Sequence, residues 1–451
     1  MKKMKHDVPI RLVKVLILIL MMVAFGFVWY GYYAARAQVH YYRRGDWVVI
    51  LLFGILYYGF CRSYDAFHIS ISPISEIIYS QTLALIISDF IMYVVIWLLS
   101  LYMPNAVPLL ITFGVQFLIS VLWTFLAHQW YFHNFRPGRT AVIYDLREGM
   151  ESLVGEYGME KKFHIEKVLG VEECLEKLSV LDEMDTVFLS GIHSHERNII
   201  LKYCMYQDIQ VCVIPRIGDV IMGGAKKVHM FHLPMLRIDR YRPIPEYTIA
   251  KRAFDILFSG IAIVIASPFM LVTAIAIKSD GGPALYKQKR LTKDGKEFNV
   301  LKFRSMRVDA EKDGVARLST GDKDDRITPV GKIIRKIRFD ELPQLFNILR
   351  GDMSIVGPRP ERPEIARQYE EEMPEFRLRL QAKAGLTGYA QVYGKYNTTP
   401  YDKLLMDLTY IGTPSLWEDF KICLATVKIL FMPESTEGVA EGATTAMNGK
   451  K

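Results

Sequence analysis

The sequence predicts a membrane α-helical N-terminal bundle, then an α/β Rossmann-like domain, then a mixed α/β domain with a re-entrant membrane helix. Three observations predict it. Long uncharged runs fill the first third of the 451 residues. Short apolar, β-branched runs alternate with helical stretches between 140 and 245. A further apolar run, 256–277, carries Pro268 at its middle. At this length, two or three units are expected.

A bilayer core needs roughly 20 apolar residues of helix. The runs 15–35, 47–61, 82–103 and 106–127 reach or approach that, the second being shortest, and define a bundle over 1–130. Lys2, Lys3, Lys5, Arg11 and Lys14 precede or open the first run, and no small-residue cleavage site follows it. It therefore reads as an anchor, not a signal peptide. The basic start and the basic exit at Arg136 and Arg139 put both ends on the cytoplasmic face. Arg36, Arg43 and Arg44 fit less well, because four spans place their loop outside. Asp89 is read first as a snorkelling or paired structural acid at the edge of its span, and second as a polar intramembrane site.

Residues 135–245 form the α/β part. Strands are expected at 140–144, 185–189 and 209–215, with helices around 171–184 and 194–207. That alternation favours a parallel sheet. The first strand runs into Asp145, Leu146, Arg147, Glu148 and Gly149, not into a glycine-rich turn. Without those glycines the backbone cannot approach a pyrophosphate, so a structural or regulatory role is expected here.

Pro268 removes one helix hydrogen bond and crowds the preceding turn. Lys251 and Arg252 before the run and Lys278 after it all prefer the cytoplasmic side. A helix over 252–278 that breaks at Ser267-Pro268 and returns satisfies both constraints. Ser267 then offers a hydroxyl to the freed backbone. A kinked spanning helix is the alternative that hydropathy alone allows.

A formal charge of +8 suits an anionic partner, and half of the chain is apolar. Nucleic acid is not expected, for no basic platform interleaved with aromatics is present. The five cysteines show no CxxC and no histidine spacing, so neither a disulfide framework nor a zinc site is indicated.

Phosphate-binding material concentrates after Lys278. Basic stretches at 286–290 and 302–307 flank a hairpin containing Asp294-Gly295. Arginine can fork onto phosphate oxygens while lysine acts as a point charge, although basic runs alone are usually solvated faces. In the segment 335–345, Pro343 suits a first helical turn and sets Asp340 and Glu341 at or near the helix N-terminus. There one carboxylate can attack phosphorus while its neighbour holds a metal; taken alone, the pair also reads as ordinary capping acids. In 357–363, Pro358 and Pro360 restrict Arg359 on both sides. Lys383 to Gly388 makes a small-residue loop, and a helix over 402–411 carries Asp407 toward the same region.

These motifs resemble the bacterial sugar transferases, polyprenol-phosphate hexose-1-phosphate transferases with one re-entrant membrane helix. The resemblance covers 247–432 and rests on Lys251-Arg252 with Asp255, Ser267-Pro268, and Lys302-Phe303-Arg304-Ser305-Met306. It continues through Asp340-Glu341-Leu342-Pro343-Gln344, Gly357-Pro358-Arg359-Pro360, Gly385-Leu386-Thr387-Gly388 and Asp407-Leu408 with Tyr410. The preceding spans and α/β domain are similar to the large subgroup that begins capsule, exopolysaccharide or O-antigen assembly. The resemblance implies that Asp340 is a nucleophile toward the β-phosphate of a UDP-sugar, with UMP leaving and undecaprenyl phosphate accepting. It implies that Glu341 holds Mg²⁺ and that Arg359 contacts phosphate. Arg304, Lys302, Pro358, Pro360, Asp407, Arg338, Lys251 and Arg252 complete the implied substrate-binding set.

It further implies a bacterial cytoplasmic membrane protein, in contact with lipid, whose catalytic domain faces the cytoplasm. Arg335, Lys336, Arg338 and Phe339 are candidates for the lipid interface. A homodimer is an open expectation. The tail 433–451, poor in apolar residues, is expected to be disordered. Two rival readings remain: a glycosyltransferase that releases UDP, and a non-catalytic membrane scaffold.

Overall fold

The computed structural model describes residues 2–36, 44–147, 149–279, 281–307, 326–394 and 398–430. Arg43, Glu148 and the 433–451 tail lie outside them. The chain divides into two compact units, Met1–Ile214 and Pro215–Lys451.

The first unit opens with helices α1 (Lys2–Val28), α2 (Arg44–Ser63), α3 (Ile74–Ser100) and α4 (Val107–Asn134). Each is long and apolar enough to cross a membrane, as the four runs predict. Aromatic side chains tie them together. Phe25 stacks on Phe53 at 4.5 Å, and the Trp123 indole donates to the Val13 carbonyl at 3.1 Å. Many apolar side chains on their outer faces, such as Phe27 and Leu118, are exposed. Asp89 departs from expectation. Because α3 begins at Ile74, this acid sits near the helix middle, buried, and has no hydrogen-bond partner among the described residues.

A parallel sheet follows. Strands β1 (Gly138–Tyr144), β2 (Phe163–Gly170), β3 (Thr186–Ser190) and β4 (Gln210–Val213) lie in the order β2-β1-β3-β4. Helices α5 (Met150–Glu156), α6 (Val171–Glu176) and α7 (Ser194–Tyr206) connect them. Ala141, Ile143, Val187 and Leu189 supply the sheet's core face, packed against Cys174, Ile200 and Cys204.

The second unit contains α8 (Ile217–Gly223), the hairpin of β5 (Lys226–Met230) and β6 (Leu233–Arg237), and helix α9 (Pro245–Lys278). At 34 residues, α9 is roughly 50 Å of helix. It runs unbroken through Pro268, so the expected break is a local defect within a continuous helix. The physical reason is visible. Proline has no N–H to give the Val264 carbonyl, and the Ser267 hydroxyl donates to that carbonyl at 2.8 Å instead. Large apolar side chains along α9, among them Ile261, Val264, Ile265, Leu271 and Val272, are half or more exposed.

Both limbs of α9 pack on the same body. Before the proline, Ala262 and Ile263 meet a core of Val300, Leu345, Ile348 and Met353. After it, Met270, Ala274 and Ile277 meet Phe303 and Ile334. Leu342 packs against both groups. That body is built from the hairpin β7 (Leu285–Leu291) and β8 (Glu297–Phe303), α10 (Pro329–Lys336) and α11 (Gln344–Arg350). It continues with β9 (Ser354–Val356), α12 (Pro363–Glu372), β10 (Gly385–Thr387), α13 (Tyr389–Tyr393), α14 (Pro400–Gly412) and α15 (Leu416–Leu430).

Candidate active site

Three separate elements converge on one carboxylate. A 3-10 turn, Phe339–Glu341, stands just before α11 and carries the acid pair. Arg338 enters that turn with φ of +59°, a left-handed conformation that turns the chain sharply ahead of Asp340. Lys302, on β8, places its ammonium 2.9 Å from Glu341 Oε1. Arg359 adds a guanidinium nitrogen 3.1 Å from the same oxygen. Glu341 is therefore held well below the usual carboxylate range, because Lys302 and Arg359 outweigh the cost of its burial. Asp340 moves the other way. Burial and the adjacent Glu341 charge raise it, only partly offset by Lys302, Arg335 and Arg338. Two neighbouring carboxylates thus acquire opposite characters, a permanent anion and a raised acid, the pattern that separates chemical roles.

The frame behind the pair is rigid. The buried Asn347 amide joins β8 to α11, accepting from the Leu301 N–H at 2.9 Å and donating to the Asn299 carbonyl at 2.9 Å. Its place next to Lys302 in the ladder keeps the ammonium aligned with the acids. Around Arg359 the main chains themselves touch. Gly357 donates to the Thr387 carbonyl and Gly385 to the Pro358 carbonyl, both at 2.9 Å. A Cβ on Gly357 would lie 2.3 Å from Lys383 O, and one on Gly388 would lie 2.1 Å from Gly357 O. Only glycine fits at either place. Pro360 offers its carbonyl to Arg290 at 3.1 Å, which fixes the far side of the loop.

A buried layer braces this loop from beneath. Arg379 pairs with Asp407 at 2.7 Å, approaches Glu361 at 3.6 Å, and donates to the Arg359 carbonyl at 2.9 Å. Asp407 is only 1% exposed. It lies beneath the loop, paired with Arg379, whose guanidinium reaches the Arg359 carbonyl.

Other expected binders are committed to partners within the protein, Arg252 and Arg304 to main-chain carbonyls and Lys251 to side chains. Arg252 closes the end of α11 by donating to the Ile348 and Leu349 carbonyls at 2.6 and 2.7 Å. Arg304 donates to the Pro283 and Ile277 carbonyls and caps the end of α9. Lys251 pairs with Asp419 at 2.8 Å, alongside Tyr410. In each case the cation supplies a charged donor to carbonyls at or near a helix end or to a buried carboxylate. Asp340, Glu341, Lys302, Arg359 and the flanking Pro358 and Pro360 come together; Arg304, Arg252, Lys251 and Asp407 support them from a distance. Ser267 and Pro268 shape α9.

Sequence reasoning missed Arg379, Asn347 and Asp419. No local pattern marks them, since their partners Asp407, Leu301 and Lys251 lie 28, 46 and 168 positions away.

For a metal, the donor set decides the fit. Among the described residues no group of three His, Cys, Asp or Glu side chains could hold an ion. An ion here would draw at most the two carboxylates Asp340 and Glu341 from this chain, in competition with Lys302 and Arg359, and the rest of its shell from water and substrate phosphates.

A carboxylate pair ringed by cations, beside a long exposed apolar helix, defines a membrane-associated protein equipped for chemistry on phosphate. The comparisons narrow the class. Residues 246–433 match the family model described as bacterial sugar transferase. The chain is 39% identical over 234 residues to a UDP-N-acetylgalactosamine-undecaprenyl-phosphate N-acetylgalactosaminephosphotransferase of Aeromonas hydrophila, covering 51% of this chain and 54% of that protein. It is 41% identical over 201 residues to a UDP-glucose:undecaprenyl-phosphate glucose-1-phosphate transferase of Caulobacter vibrioides, covering 43% and 74%. An undecaprenyl-phosphate galactose phosphotransferase of Salmonella typhimurium is 38% identical over 236 residues, covering 49% of each chain. The matched region is thus about half the length of two of these relatives. This chain belongs to the bacterial sugar transferase family.

Proposed function

We propose that this protein moves a hexose-1-phosphate from a UDP-sugar to undecaprenyl phosphate, the step that begins assembly of a surface polysaccharide. The observation that carries it is the adjacent pair Asp340 and Glu341, with Glu341 held by Lys302 at 2.9 Å and by Arg359 at 3.1 Å, within the family-matched domain. An Asp340 oxygen attacks the β-phosphorus, and the bond from that phosphorus to the bridging oxygen breaks. UMP leaves with the electron pair, and a sugar-phosphoryl aspartate remains. An oxygen of the lipid phosphate then attacks the same phosphorus and restores the carboxylate. Splitting the transfer lets two bulky substrates take turns at one site. Lys302 and Arg359 supply positive charge where phosphoryl oxygens gather it. Glu341, with Asp340 beside it, would hold Mg²⁺; the ion would supply neutralisation of charge on the phosphates.

The relatives name N-acetylgalactosamine, glucose and galactose. The deciding experiment is therefore nucleotide release from the purified protein in nanodiscs, with Mg²⁺, undecaprenyl phosphate and a panel of UDP-sugars. UMP with one or two sugars supports the proposal and names the donor. UDP would favour a glycosyltransferase, and no release with any sugar would favour a scaffold.

Acid should slow the reaction early. A nucleophilic carboxylate must be ionised, and Asp340 is raised, so the acid limb of kcat should lie above the ordinary aspartate value of about 3.9. Glu341→Gln removes the charge that helps raise it, so the weaker residual activity should show an acid limb moved downward. An acid limb at the ordinary value in the unaltered protein would count against Asp340.

We propose that α9, although unbroken, bends at Pro268 and keeps both ends on the cytoplasmic face, because both of its limbs pack on one body. Pro268→Ala restores an N–H to the Val264 carbonyl and should straighten the helix into a span. Cysteines placed at Glu246 and Ser279 should label from one side of the membrane in the parent, and from opposite sides in Pro268→Ala. Identical labelling in the two would sink this reading.

A further inference from the structure

A cavity of about 300 Å³ opens between the first limb of α9 and helix α15. Its volume is at the lower end of that of ligand pockets. Its walls are apolar: Phe254 from α9, Ile355 and Val356 from β9, and Trp417, Phe420 and Cys423 from α15. Among the described residues that line it, Lys251 pairs with Asp419 and Asp255 accepts from the Ser354 hydroxyl and the Ile355 N–H, so no lining cation is left for a charged headgroup. Trp417 and Phe254 are themselves 58% and 38% exposed, on the side where α9 presents bare apolar surface.

The opposite wall determines the occupant. Val356 stands three residues before Arg359, so their Cα atoms are separated by about 11 Å at most. A chain that follows the cavity to Val356 therefore ends within about 11 Å of the backbone of the loop that carries Arg359. A bilayer phospholipid has no reason to end there, whereas a lipid whose phosphate reacts does.

We propose that this cavity receives the isoprenoid chain of the lipid acceptor, in the stretch next to its phosphate. The proposal rests on the transferase reading and deepens it by assigning acceptor recognition to α15 and the first limb of α9.

Cys423 provides a direct probe. Burial pushes its thiol up to about 11, so alkylation is run at alkaline pH. The full chain in detergent micelles is treated with N-ethylmaleimide, and modification of Cys423 is followed by peptide mass spectrometry. Undecaprenyl phosphate should slow it about tenfold, as filling by a few methylenes would do, while the same molar amount of phosphatidylglycerol should not. Equal slowing by both lipids, or by neither, overturns the proposal.

Cys423→Trp fills the space from within. It should raise the KM for undecaprenyl phosphate about tenfold while leaving unchanged the single-turnover release of UMP when no acceptor is present. An unchanged KM, or loss of both half-reactions together, overturns it. Should the unaltered protein release no UMP, the transferase reading fails by itself, whereas Cys423 protection is still read independently.

Discussion

Asp340→Asn is expected to lower turnover on the order of 10⁴-fold, the scale of removing a covalent nucleophile, and to abolish UMP release even without acceptor. Folding should be untouched or improved. A carboxyl raised in the folded state holds its proton more tightly there than in the unfolded chain. It therefore costs stability once pH rises above the unfolded value. At neutral pH the ionised, partly buried Asp340 sits beside Glu341, and the neutral amide removes that repulsion. Activity and thermal midpoint should thus move in opposite directions. A variant that retains a tenth of its activity would exclude Asp340 as nucleophile. One that loses activity together with its folded signal would say nothing of chemistry and would instead contradict the charge argument.

Arg379→Met is expected to be the most damaging substitution away from the acids. It strips the buried Asp407 of its partner and the Arg359 carbonyl of a donor. Breaking a buried pair on one side costs about 3–5 kcal/mol. Asp407 is already raised by burial, and without Arg379 it can stay buried only as the neutral acid. The loss should therefore deepen as pH rises, and equilibrium unfolding at two pH values tests that sign. Arg379→Met with Asp407→Leu replaces both charges by apolar groups and should recover most of the stability. It should not recover the rate, because the Arg359 carbonyl still lacks its donor. Full recovery of both would reduce Arg379 to a stability element.

What could be read from the sequence depended on the range of the signal. Apolar runs set the helices because membrane helices need length and little else, and the acid pair announced itself within a few residues. Strand β2 escaped notice because its apolar residues, Phe163, Ile165, Val168 and Leu169, are interrupted by His164, Glu166 and Lys167 and form no continuous run. The basic residues were recognised as a class but not by task. Arg304 and Arg252 look like phosphate ligands in sequence, yet they close helix ends, since a guanidinium satisfies carbonyls as readily as phosphate oxygens. Asp89 was misjudged because hydropathy placed the start of its helix too late, making a central residue look peripheral. The Arg379 layer depends on contacts between distant segments, which no local pattern encodes.

The contacts among Gly357, Gly385 and Gly388 bear on how this protein can diversify. The loop that carries Arg359 meets the 383–388 loop backbone to backbone, while the Arg379 and Arg290 side chains brace its carbonyls. Apolar residues elsewhere in the core can consequently change in volume while this loop keeps its place. Variation in substrate preference is then free to accumulate in the walls of the site without dismantling the reaction.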